Sequence, residues 1–184
     1  YLGDAGAQVT VVGTVAEPDL ERIAAQRPDL ILGTESRHAA LYDRLTAIAP
    51  TAFMASQADP WQDNVRFVGR ALGREADTEQ LLIRYRDRCA EVARTHDTAG
   101  RTAQMIRPRD GLLTLYGPTS FAGSTLECAG FTIPPRDWEN SISVDLSPEL
   151  VQQARADEVF LTATDPASPS AVPPAVQAGR TQGF

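Results

Sequence analysis

The chain has 184 residues, a net charge of −7 and an ordinary apolar fraction of 42%. That length allows one large domain or two small ones, each with a real core. The acidic balance argues against a nucleic-acid partner, and no run of 18 apolar residues offers a membrane-spanning helix.

All 17 basic residues are arginine. Coding composition explains that bias, and a need for forked contacts to anionic ligands is the functional alternative. Cys89 and Cys128 are too few for a disulfide framework. Two buried thiols are expected, with a single bridge as the alternative.

Val9–Val12 is a short β-rich run. Pro18 and Asp19 open a helix with Glu21 in its first turn, and Pro28 stops it. Asp29–Leu32 reads as a continuous apolar strand of a covered parallel sheet. A polar loop, Thr34–Arg37, leads to a helix over Ala39–Ile48 and a strand over Thr51–Met54. This alternation predicts a parallel α/β unit.

Two helices follow. Trp61, Val65, Val68 and Leu72 share one face of the first. The second starts near Asp77 or Thr78, with Leu81, Tyr85, Cys89, Val92 and His96 as its apolar stripe. At about 20 residues it reaches ~30 Å, enough to brace two lobes.

Thr102–Ile106 and Leu112–Leu115 read as strands joined by a turn at Arg109-Asp110-Gly111. A helix runs from Gly117-Pro118-Thr119-Ser120 to about Cys128 and stops at Gly130. A proline-rich loop with Trp138 and Asn140 comes next. The tail after Thr162 reads as loop, and its last ten residues read as the approach to a strand.

One unit occurs twice. DLERIAAQRPDLIL at 19–32 and SPELVQQARADEVF at 147–160 align at an offset of 128 residues. Glu21 falls on Glu149, Arg27 on Arg155, Asp29 on Asp157 and Ile31 on Val159. Each copy predicts a short helix with an acidic first turn, a tight turn and a buried strand. The chain is therefore expected to form two similar α/β lobes facing a cleft.

Enzyme signatures are absent: no glycine-rich phosphate loop, no nucleophile elbow, no H-E-x-x-H. His38 and His96 stand far apart, and the cysteines lack a C-x-x-C partner, so a protein-held metal is not expected. In open α/β sheets, ligands bind beyond the carboxyl ends of strands. Arg37, Trp61, Arg107, Tyr116, Phe121 and Trp138 occupy such places. Aromatics with arginine suit a bulky, partly apolar anion.

Four stretches carry a resemblance: the first repeat copy, ADTEQLLIRYRDRC at 76–89, LYGPTSFAGSTLECAGF at 115–131, and SVDLSPELVQQARADEVFL at 143–161. Together they resemble the substrate-binding proteins of ABC importers for ferric siderophores, haem and vitamin B12, with the third stretch most like the siderophore branch. The resemblance implies two Rossmann-like lobes with parallel-rich sheets: residues 1–72, a rigid connecting helix at 73–98, and residues 99–184. It implies that both chain ends are truncated relative to a complete member. It also implies a monomeric, extracytoplasmic, non-enzymatic binder that delivers a ferric siderophore to a membrane permease.

Arg107 matches an arginine that contacts the iron-chelating oxygens, and Tyr116 and Trp138 line the same cleft. Phe121, Arg37 and Trp61 are further ligand candidates. Glu21 and Glu149 match the acidic residues that dock on permease arginines. Iron would arrive already chelated, so no cofactor is implied. The alternatives are a haem or cobalamin binder, for which Tyr42 and Tyr116 offer axial ligands, and a sensing or scaffold homologue that has lost transport. An α/β enzyme would need phosphate-cradling glycines or a paired acid and base, and neither is found.

Overall fold

Pro18 and Asp19 begin the first well-formed helix, as the acidic cap demands: the Asp19 carboxylate accepts from the Arg22 N–H at 3.0 Å. The computed structural model describes residues 3–56, 60–138, 142–163, 167–168 and 172–181, excepting the side chains of Ala5, Arg180 and Thr181. The described chain forms two compact units, Tyr1–Gln57 and Ala58–Phe184.

In the first unit, helices α1 (Gly3–Ala7) and α2 (Leu20–Gln26) precede strand β1 (Ile31–Thr34). Helices α3 (Glu35–His38) and α4 (Tyr42–Thr46) flank a 3₁₀ turn at Ala39–Leu41 and lead to strand β2 (Thr51–Met54). β1 and β2 pair in parallel, Ile31 opposite Thr51. The strand expected at Val9–Val12 does not form. Val9 and Val11 are exposed, and the segment is tied on through bonds from Val9 N–H to the Gly6 carbonyl and from Asp19 N–H to the Val12 carbonyl, beside a bridge at Gly13 and Pro18. Without a ladder partner a β-branched run has no strand to join. The polar loop expected at Thr34–Arg37 is mostly α3.

The second unit opens with helices α5 (Trp61–Ala71) and α6 (Glu75–His96). Gly69 lets them close up, since a Cβ there would meet the Thr78 hydroxyl at 2.2 Å. The buried stripe of α6 is Thr78, Leu82 and Cys89, with Tyr85 half-buried. Leu81 and His96, expected in the stripe, are exposed. Both phases fit a 3.6-residue period, and the Thr78–Gly69 contact selects the one observed.

A mixed sheet follows: β3 (Ala103–Arg109), β4 (Leu112–Tyr116), β5 (Ser143–Leu146) and β6 (Glu158–Leu161), in the order β5-β4-β3-β6. β3 and β4 form a hairpin whose two turn residues, Asp110 and Gly111, both have positive φ (52° and 79°), the geometry of a tight hairpin turn. β6 pairs parallel to β3. One sheet face buries Ile106, Leu113, Leu115 and Leu146 against Val151, Ala154 and Val176. The other carries Ala103 and Met105 against Leu126 and Ile133, beside helix α7 (Phe121–Cys128).

Three further expectations are corrected. Cys89 and Cys128 are joined as a disulfide, with Cα atoms 5.4 Å apart, and are not free thiols. Their helices are held side by side by the hydrogen bond from the Tyr85 hydroxyl to Thr125, which brings the sulfurs into reach. The second repeat copy begins with a 3₁₀ helix, Pro148–Ala154, kinked at Leu150, and neither repeat strand is fully buried. The tail forms helix α8 (Pro174–Thr181), whose Val176 enters the core, where a strand approach was expected. Asn140 lies outside the described residues.

Candidate ligand-binding site

Register places the polar side chains of the second unit. Arg107 pairs with Thr114, and Thr114 with Asp145, in one row across β3, β4 and β5. Cross-strand partners point to the same face. The next row holds Met105, Tyr116 and Ser143. Tyr116 stands beside Arg107, and its hydroxyl raises the guanidinium pKa above the ordinary arginine value. Arg107 is exposed and makes no ion pair among the described residues. Arg109 differs: its guanidinium lies 3.5 Å from Asp145 and 3.7 Å from Asp110.

Trp61 and Phe121 meet in a second cluster of the same unit. The Trp61 ring stands edge-on to Tyr85 (4.8 Å between centroids) and to Phe121 (5.2 Å). Its indole N–H donates to Ser124 Oγ at 3.2 Å. Trp61, expected with the first lobe, therefore packs on α7, and Phe121 remains exposed. The Ser120 hydroxyl caps α7 by accepting from Gly123 N–H at 2.9 Å and donates to the Gly117 carbonyl at 2.7 Å.

Trp138 packs against both core clusters. A Cβ on Gly117 would meet its ring at 2.7 Å, so the strand-to-helix turn lies flat on the indole. Arg136 lies over the ring, 5.9 Å from its centroid, and donates to the Gln153 carbonyl. Burial lowers the Arg136 pKa.

In the first unit, Arg37 sits exposed on α3. His38 is a bracket: Nδ1 accepts from Thr34 N–H at 3.2 Å and Nε2 lies 2.9 Å from the Val15 carbonyl. Both ring nitrogens are engaged, leaving neither for a metal. Tyr42 stands edge-on to Phe53. An apolar hollow of about 440 Å³ is lined by Val12, Val15, Ile23, Leu30 and Leu45 among others. It offers no arginine or carboxylate and does not suit an anion. Glu21 is exposed in the first turn of α2. Glu149 is exposed in the second unit, and its pKa is lowered by a hydrogen bond from the Ser147 hydroxyl. Among the described residues no group of three or more His, Cys, Asp or Glu side chains could hold a metal ion.

Sequence reading missed Thr114, Asp145 and Arg109 as neighbours of Arg107. The Asp110-Gly111 turn contained the signal. A two-residue hairpin sets Arg109 opposite Leu112, which puts Arg107 opposite Thr114.

A sheet face that presents a cation and a phenol offers contacts to an anion, and comparison with known proteins places the chain in a family. The chain belongs to the periplasmic binding protein family, whose profile matches residues 2–167. It is 33% identical over 140 residues to the probable siderophore-binding lipoprotein YfiY of Bacillus subtilis, covering 76% of this chain and 43% of that one. It is 32% identical over 126 residues to the Fe(3+) dicitrate-binding periplasmic protein FecB of Escherichia coli, covering 67% and 42%. The chain thus spans less than half the length of these relatives. Its fold matches Staphylococcus aureus SirA, solved with staphyloferrin B, at a TM-score of 0.75 and 27% identity, covering 99% of this chain and 64% of that one.

Proposed function

We propose that the protein captures a ferric siderophore outside the cytoplasm and delivers it, without chemical change, to the membrane permease of an ABC importer. The observation that carries this reading is Arg107, an exposed guanidinium beside Tyr116 that makes no ion pair among the described residues. A fixed cation with a phenol beside it suits the negatively charged oxygens that wrap chelated iron. Relatives named for siderophore and ferric dicitrate binding support the same reading.

The protein acts as a monomer, free in the periplasm or lipid-anchored at the outer face of the membrane. The Cys89–Cys128 disulfide suits that oxidising compartment. Iron enters inside its chelate, so no resident cofactor is needed. Glu21 and Glu149, exposed in the first turns of their helices, are the permease-docking carboxylates.

Intrinsic tryptophan fluorescence, titrated with a panel of ferric siderophores and with haem and cobalamin as controls, tests the proposal. Saturable quenching by a ferric chelate, after inner-filter correction, supports it. Binding of haem alone, with a Soret band, or of none of the panel by folded protein, contradicts it.

A further inference from the structure

The sheet face that carries Arg107 also carries its own counter-charges. Arg107, Thr114 and Asp145 form one row across three strands. With strands ~4.8 Å apart, guanidinium and carboxylate stand at the two ends of a row about 10 Å long. The buried Thr114 hydroxyl donates to Asp145 Oδ1 at 2.6 Å and fixes that carboxylate in place. Arg109 reaches Oδ2 of Asp145 at 3.5 Å and has Asp110 beside it at 3.7 Å. One arginine of this face is therefore matched by carboxylates of the protein itself, and Arg107 is left to face a ligand. Arg107 and Arg109 with Asp110 and Asp145 together carry no net charge.

That balance bears on which chelate fits. Ferric chelates range from neutral or cationic hydroxamates to multiply anionic catecholates, and family membership leaves the choice open. A multiply anionic chelate needs several unmatched cations, and this face supplies one. A fixed carboxylate at the far end of the row repels each added negative charge, by a factor of a few per charge at the intermediate dielectric of an open face.

Resting on the siderophore-binding reading above, we propose that this face selects a ferric chelate of low net charge, of the hydroxamate kind. Asp145 is the residue that discriminates against multiply anionic chelates.

The test compares dissociation constants for cationic ferrioxamine B and multiply anionic ferric enterobactin, using the full-length protein and two variants. Asp145→Asn keeps an acceptor for Thr114 and removes the charge. Arg109→Gln removes the cation that masks Asp145. The parent protein prefers ferrioxamine B. Asp145→Asn shifts the ratio toward enterobactin by about tenfold, Arg109→Gln shifts it the other way, and both shifts shrink in high salt. Were Asp145→Asn to melt early by circular dichroism, Arg109→Gln decides alone. Chelate binding with ratios unchanged within about twofold, or a parent preference for enterobactin, overturns the inference and leaves the siderophore reading standing. Failure of every chelate in the wider panel overturns both.

Discussion

The hydroxyls of Tyr85 and Thr125 lie 3.0 Å apart, Tyr85 donating, and Thr125 donates onward to the Phe121 carbonyl at 2.7 Å. This bond joins the middle of α6 to the body of α7. Trp61 to Ser124 and Cys89 to Cys128 flank it. Three ties thus fix α7, and with it exposed Phe121, to the α5–α6 hairpin. Tyr85→Phe removes the middle tie while keeping the ring that packs on Trp61. The expected cost is about 1 kcal/mol, read as a lower midpoint in urea with the slope unchanged. A midpoint equal to that of the parent would mean that the bond is idle.

The disulfide should be worth more. It closes a loop of 39 residues, for which chain entropy gives roughly 3–4 kcal/mol. Cys89→Ser with Cys128→Ser should lower the melting temperature by more than Tyr85→Phe does. Thiol titration of the denatured, unreduced protein should find no free thiol. Two reactive thiols per chain would contradict the bridge.

Gly123 has no room for a side chain. A Cβ there would stand 2.0 Å from the Gly117 carbonyl oxygen and 2.6 Å from its carbon. That backbone is held by the Ser120 cap and by the Trp138 ring, so it cannot retreat cheaply. Gly123→Ala is expected to destabilise by ~2 kcal/mol or more despite the better helix propensity of alanine. A gain in stability would show that the first turn of α7 relaxes freely.

Asp157 predicts a pH effect. Its carboxylate accepts from the Thr102 N–H at 2.7 Å and hydroxyl at 2.9 Å, and these bonds hold its pKa below the ordinary aspartate value. A depressed folded-state pKa stabilises the native form fully above the unfolded value of about 4. That contribution is lost as pH falls through the folded value. Asp157→Asn should therefore be less stable than the parent at neutral pH, with the gap narrowing below about pH 4. A gap constant from neutral pH into acid would rule out this titration.

The parts of the fold legible in sequence were those set by local chemistry. Asp19 announced α2, Asp110-Gly111 announced the β3–β4 hairpin, and Thr51–Met54 formed the strand expected of it. The misreadings needed partners distant in sequence. Val9–Val12 has strand chemistry and no neighbouring ladder, and Leu81, Leu82 and Ile83 are consecutive apolar residues, so the buried face of α6 is set by contacts distant along the chain, Thr78 against Gly69 and Cys89 with Cys128. The disulfide joins elements 39 positions apart, and the Trp61–Ser124 bond spans 63; no spacing rule reports either. Arg107 and Tyr116 are candidates both from their place at strand ends and from the family resemblance, and their neighbour Asp145 emerges only from the register of a third strand.

The most direct measurement is isothermal titration of the ferric siderophore that quenches best, against the parent and Arg107→Gln. Loss of a charge-assisted contact at an open site should weaken binding by roughly tenfold or more, with the melting temperature changed little, because Arg107 is exposed. Equal affinity in the two proteins would contradict the account, since it would place the ligand away from the β3–β4–β5 face.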